Sequence, residues 1–128
     1  MGIRENISDV KRRIGHACQK AGRDVSSVKL IAVSKTKPVA SIMEAVSAGQ
    51  LVFGENYAQE LRDKSREIAR WNAVNRSFLP SPVEFHFIGH LQKNKLKYVL
   101  PVVKWIHTID SVELLEETIK RLEAGDLR

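Results

Sequence analysis

The chain has 128 residues, 43% of them hydrophobic and 28% charged, which is the composition of a globular domain long enough to bury a core. Its apolar runs are a few residues long, too short to span a bilayer, and no low-complexity tract or short repeat occurs. The net charge of +6 permits a polyanionic partner without indicating one, because lysines and arginines are interspersed with carboxylates.

Ile3, Ile7, Val10, Ile14, Ala17 and Ala21 recur at alternating steps of four and three, the stripe of an amphipathic helix that Gly22 stops. Cys18 lies on this helix. A single cysteine cannot form an internal disulfide, and it is expected to pack in a reducing compartment. The opening Met1-Gly2-Ile3-Arg4-Glu5 lacks the apolar core of a signal peptide, so a cytoplasmic location is expected.

Val28-Lys29-Leu30-Ile31-Ala32-Val33-Ser34 is rich in β-branched residues and reads as a parallel strand covered on both faces. Pro38 opens a helix over Val39 to Ser47, and Gly49 ends it. Leu51 to Phe53 form a second strand that halts at Gly54, followed by a helix from about Tyr57 to Trp71. Residues 72–83 contain Pro80 and Pro82 and read as the longest loop. Glu84 to Ile88 form the third strand, ended by Gly89. A short helix runs from about Leu91 to Leu100 until Pro101 halts it. It carries Lys93, Lys95 and Lys97, read as a solvated face rather than a phosphate-binding patch. Val102 to Thr108 form the fourth strand. Asp110 with Glu113 is a capping-box pattern opening the last helix, whose stripe is Leu115, Ile119 and Leu122 and whose end is Gly125.

A helix followed by four strand–helix units predicts an α/β fold of parallel strands with helices outside. Two architectures fit: a doubly wound open sheet, or the first half of an eight-stranded β/α barrel, which needs about 250 residues when complete. Both place a site at the C-terminal ends of the strands. The residues to read are therefore Ser34-Lys35-Thr36-Lys37, Gly54-Glu55-Asn56, Gly89-His90-Leu91-Gln92 and His107-Thr108-Ile109-Asp110.

Lys35 shares a strand face with Ile31 and Val33, since side chains alternate along a strand. An ammonium set in an apolar lining loses charge readily and becomes a nucleophile toward carbonyls. The alternative is a surface lysine at a strand end. Lys37 precedes Pro38 and is expected in solvent. Gly54 allows a tight turn, and Asn56 either caps the following helix or faces a ligand. Glu55 is read as a charge at the mouth that balances Lys35 or Lys37. His86 alternates with Phe85 and Phe87 and is expected to be buried and hydrogen-bonded. His86, His90 and His107 lack a recognised zinc spacing, and no metal is expected. No Ser-His-Asp order, Walker loop or G-x-G-x-x-G is present.

Together these junctions resemble the YggS/PROSC family, the pyridoxal-phosphate homeostasis proteins, related in fold to the N-terminal barrel of alanine racemase. The matching segments are Leu30 to Pro38, Phe53-Gly54-Glu55-Asn56-Tyr57 with Gln59-Glu60, His86 to Gln92 with Asn94-Lys95, and His107 to Ser111. The resemblance implies a TIM-type barrel. It also implies that Lys35 holds pyridoxal 5'-phosphate as a Schiff base, with Asn56, His86 and Gly89 around the cofactor. The implied role is cofactor homeostasis without clear turnover. The alternatives are a racemase- or lyase-type enzyme and a half-barrel without cofactor that acts by dimerising. Residues 1–128 match the N-terminal half of the family barrel and are expected to be one domain. The segments that hold the cofactor phosphate in the family lie in the other half. A half-barrel exposes sheet edges, so a homodimer that completes it is the expected assembly. Neither nucleic acid nor membrane is expected as a partner.

Overall fold

The computed structural model describes residues 2–75 and 83–125. Helix α1 (Ile3–Ala21) is closed by Gly22 at φ 66, with the Gly22 and Arg23 amides donating to the Gln19 and Cys18 carbonyls. A 3-10 turn (Val25–Ser27) leads into β1 (Ala32–Val33), α2 (Val39–Ser47), β2 (Val52–Glu55) and α3 (Ala58–Asn75). Strand β3 (Glu84–Phe87), a 3-10 turn (Lys93–Lys95), α4 (Leu96–Val99), β4 (Trp105–Ile106) and α5 (Val112–Glu123) complete the described chain. Among the described residues no helix is long and apolar enough to cross a membrane.

The four strands are parallel and lie in the order β1-β2-β3-β4. This order decides between the two predicted architectures. A doubly wound sheet reverses its strand order at a switch point, whereas a β/α barrel adds each strand beside the last. The chain is therefore an α/β half-barrel. One face of its sheet, formed by Ala32, Phe53, Glu55, Phe85, Phe87 and Ile106, packs on the helices. Phe53 and Phe87 there are almost fully buried against a cluster that includes Ile42, Leu61, Leu96 and Val99. Each such side chain contributes about 1.5–3 kcal/mol. The opposite face carries Val33, Gly54, His86 and Trp105 on one level, and Val33 and Trp105 are 55% and 56% exposed.

Several boundaries differ from the sequence expectation. Residues Val28 to Ile31 form no ladder, because β1 is an edge strand and the buried Gln50 amide supplies the link instead. Its Nε2 donates to the Leu30 and Val52 carbonyls, each at 2.8 Å. Strand β2 runs through Gly54 rather than stopping there. A Cβ at Gly54 would lie 2.8 Å from Ile88 Cδ1 and 3.0 Å from Ile31 Cγ2, so neighbouring side chains already fill that place. Helix α3 continues to Asn75, and the rest of the expected loop, with Pro80 and Pro82, lies outside the described residues.

The cap of α5 is Ser111, whose Oγ accepts from the Leu114 amide at 3.1 Å, while Glu113 turns to Lys93 instead of closing a box with Asp110. This rotation buries Leu114 and Thr118 and leaves the expected stripe of Leu115, Ile119 and Leu122 exposed. In α1 the inward line passes through Cys18, while Ala17 and Ala21 are exposed.

Candidate functional site

Strand β1 ends in a turn in which the Lys37 amide donates to the Ser34 carbonyl at 3.1 Å. Thr36 takes φ 61, the left-handed region that costs a non-glycine residue about 1–2 kcal/mol. Ser34 faces the helices and is buried, so Lys35, the next residue, faces the other side of the sheet. Its side chain is exposed. This corrects the expected apolar setting: Val33 lies on the uncovered face, so the lining behind the amine is itself open to solvent. Lys37 is exposed, as expected.

A buried ionic cluster stands behind this turn. The Lys64 ammonium uses its three protons on the Ser34 carbonyl at 2.5 Å, Glu55 Oε2 at 2.8 Å and Glu60 Oε2 at 2.6 Å. Glu60 Oε2 also accepts from the Thr36 amide at 2.6 Å, and the Ser34 hydroxyl donates to Glu55 Oε2. Glu55 is 0% exposed and Lys64 only 7%. The expectation that Glu55 balances Lys35 or Lys37 is therefore corrected: odd positions of β2, Phe53 and Glu55, lie under the helices, and its partner is Lys64. Lys64 was missed from sequence. Its signal was the spacing of Glu60 and Lys64, four apart on one helix face.

Continuing the strand register past its last pairs puts Lys35, Asn56, Ile88 and His107 on one level. The side-chain oxygen of Asn56 is buried and has no hydrogen-bond partner among the described residues. Such a group costs free energy unless an incoming polar atom satisfies it. Gly89 presses against the Asn56 backbone: a Cβ there would lie 2.2 Å from the Asn56 carbonyl oxygen and 2.6 Å from its Cα. Thr108 Oγ1 donates to the Gly89 carbonyl at 2.5 Å, so the ends of β2, β3 and β4 are locked together.

His86 lies one level lower on the uncovered sheet face and is 2% exposed, hydrogen-bonded as expected. Its Nε2 contacts Glu84 Oε2 at 2.5 Å and its Nδ1 contacts His107 Nε2 at 2.9 Å. The hydrogen bond from His86 is the main reason the Glu84 carboxyl is held below its ordinary range, with Lys29 adding to it. A carboxylate oxygen can only accept, so His86 Nε2 donates to Glu84 Oε2, and the Nδ1 side of the ring is shared with His107. The two imidazoles stack with centroids 5.1 Å apart, and Trp105 flanks them. His90 instead points to Asp110 at 3.6 Å and is exposed. Lys93 pairs with Glu113, while Lys95 and Lys97 lie over the Tyr98 ring with Arg62.

No family model matches the chain. Comparison with individual proteins is more informative. The chain is 44% identical over 116 residues to the pyridoxal phosphate homeostasis protein of Pasteurella multocida, and 49% identical over 108 residues to that of Vibrio cholerae. Over that half, the chain is similar to the pyridoxal phosphate homeostasis proteins. It spans about half the length of these relatives, covering 46% and 43% of them. Among solved structures, a protein of unknown function from Bifidobacterium adolescentis superposes with a TM-score of 0.86 at 39% identity, covering 96% of this chain and 50% of that one. PipY of Synechococcus elongatus, solved with pyridoxal phosphate bound, superposes with a TM-score of 0.67 at 34% identity, covering 88% of this chain and 49% of that one. The family resemblance read from the four strand junctions is thus borne out. Of the residues it singled out, Asn56 and Gly89 are in direct contact, Lys35 stands level with Asn56, and His86 reaches that level through His107.

Proposed function

We propose that this chain binds pyridoxal 5'-phosphate, held covalently on Lys35, and acts in homeostasis of that cofactor rather than in turnover. The observation that carries the reading is the pairing of a free amine with an unsatisfied buried amide at the ends of adjacent strands. The amine of Lys35 makes no hydrogen bond or ion pair with the described residues, so nothing in them competes for it. Bound there, the cofactor supplies an aldehyde that condenses with the lysine amine with loss of water.

The residues present fit that ligand on its ring side. Asn56 offers polar capacity that none of the described residues uses. Gly54 and Gly89 lack side chains where Ile88 and Ile31 side chains, and the Asn56 backbone, already stand. The His86–His107 pair forms a flat aromatic wall on the same sheet face. Bound pyridoxal phosphate in the related PipY, and the name shared by the bacterial relatives, support the same ligand.

The test is direct. Pyridoxal 5'-phosphate added to the chain should produce a visible absorbance band, and borohydride should fix one adduct on Lys35. Lys35→Ala binding as well as the parent overturns the reading.

The assembly follows from the open sheet. Residues 1–128 act as one domain, and a second copy covers Val33 and Trp105 and the edges Ala32–Val33 and Trp105–Ile106. Native mass measurement should give a dimer, and a monomer at all concentrations rejects it. A cytoplasmic location fits the lone, buried thiol of Cys18, and fractionation of cells tests it.

A further inference from the structure

We propose that Lys64 and Glu60 are positioning residues for Lys35, holding the turn that carries it from the buried side of the sheet. The inference rests on the reading of Lys35 as the cofactor lysine. Three observations point to it. The turn is in a conformation it would not choose alone, since Thr36 is a β-branched residue at φ 61. Its backbone is then gripped at two points by one helix: the Ser34 carbonyl accepts from Lys64 Nζ at 2.5 Å, and the Thr36 amide donates to Glu60 Oε2 at 2.6 Å. Those two points flank Lys35 on either side in the chain. Finally, Lys64 links both grips, because its ammonium also binds Glu60 Oε2 at 2.6 Å and Glu55 Oε2 at 2.8 Å.

The arrangement is costly for a purely structural purpose. One ammonium and the fully buried carboxylate of Glu55 are removed from water, and Glu55 Oε1 is left without a partner among the described residues. Apolar residues of similar volume generally stabilise such a position as well or better. What an ion cluster supplies and an apolar pair cannot is a set of directed acceptors and donors aimed at backbone groups. Ser34 and Thr36 present those groups on the helix side while Lys35 projects to the other side. Lys35 is thereby held at the level of Asn56, its amine free of hydrogen bonds and ion pairs among the described residues.

The experiment compares Glu60→Ala and Glu60→Gln with the parent chain. Glu60 is on the rim of the cluster, with 24% of its side chain exposed, so both variants are expected to fold. Two readouts are taken. One is hydrogen exchange at the Thr36 amide. The other is the ratio of borohydride-fixed pyridoxal 5'-phosphate on Lys35 to that on Lys37, two residues away and outside the grip. In Glu60→Ala the Thr36 amide should lose protection and the Lys35:Lys37 ratio should fall about ten-fold, the effect of one charge-assisted hydrogen bond. Glu60→Gln keeps an acceptor for Thr36 and should restore most of both.

Unchanged Thr36 protection in Glu60→Ala overturns the inference, as does lost protection with an unchanged ratio. If the parent chain itself fixes no cofactor on Lys35, the proposed function fails instead. The grip on the turn is then judged by Thr36 exchange alone, where loss in Ala and retention in Gln support it. Lys64→Met, read by the same exchange, should expose Thr36 in a variant whose helix content is unchanged.

Discussion

Three glycines predict three different responses to a single added methyl group. At Gly89 the new Cβ would lie 2.2, 2.6 and 2.7 Å from three backbone atoms of Asn56, none of which can rotate away. The ends of β2 and β3 must separate by roughly 1 Å to reach ordinary contact, at the cost of overpacking, about 1–3 kcal/mol. The same movement loosens the Thr108 hydrogen bond to the Gly89 carbonyl, worth about 0.5–1.5 kcal/mol. Gly89→Ala should therefore lose about 2–4 kcal/mol, a large share of the roughly 5–15 kcal/mol available to a domain. In urea, with a slope of about 2 kcal/mol per molar, the midpoint should fall by about 1–2 M.

At Gly54 the obstructing atoms are Ile88 Cδ1 and Ile31 Cγ2, the far ends of side chains that can turn, so Gly54→Ala should cost about 1 kcal/mol or less. At Gly15, within α1, nothing lies within 4 Å, and Gly15→Ala should gain about 0.5–1 kcal/mol from helix propensity. Urea denaturation of the three variants should give midpoints in the order Gly15→Ala, parent or Gly54→Ala, Gly89→Ala. A Gly89→Ala midpoint indistinguishable from the parent's would refute the reading of the β2–β3 junction as closed by backbone contact.

Ser111→Ala removes the only side-chain cap on α5 and should cost about 1 kcal/mol, lowering the thermal midpoint by about 3–5 °C; Asp110→Ala should not, because the cap is Ser111. Glu84 is held below the ordinary glutamate value of about 4.3, so its contribution to stability is present above that pH and is lost as the pH falls through the folded value. The stability gap between the parent and Glu84→Gln should therefore be largest near pH 7 and should shrink below about pH 4; a gap constant with pH excludes the His86 hydrogen bond as its source.

Much of the architecture was legible because two periodicities dominate it. The helix over Val39–Ser47 follows from Pro38 before it and Gly49 after it, and both ends agree with the structure. Strand existence was equally clear, but strand length was not. Ladders at the edges end where a neighbour ends, and only the paired partner determines that, as Leu30 and Gln50 illustrate. The cap of α5 went to Ser111 rather than Asp110, since the two are adjacent and local chemistry barely separates them. The rotation of α5 depends on which face meets the sheet, a tertiary choice among several apolar residues. At the candidate site, the strand-end rule pointed to Lys35, Asn56 and Gly89, and His86 came from the family resemblance. It missed Lys64, which acts through the sheet from the helix side, and it misassigned Glu55, because the parity of β2 turns that carboxylate away from the mouth.

The same parity separates what folds the chain from what its open face does. Phe53 and Val33 lie on adjacent strands, one residue apart in register, yet on opposite sides of the sheet. Phe53 is 2% exposed beneath the helices, and Phe53→Ala should cost about 3–5 kcal/mol at any protein concentration. Val33 is 55% exposed, so in an isolated half-barrel Val33→Thr should stay within about 0.5 kcal/mol of the parent. If a second copy closes the barrel, Val33 becomes an interior residue, and the hydroxyl must be buried without a ready partner. Val33→Thr should then destabilise the protein, and by mass action the parent's thermal midpoint should rise with concentration while the variant's rises less. Thermal denaturation of both proteins across a hundred-fold range of concentration distinguishes the cases. Concentration-independent midpoints, with Val33→Thr equal to the parent, leave the face open and reject the dimer while leaving the Lys35 site untouched.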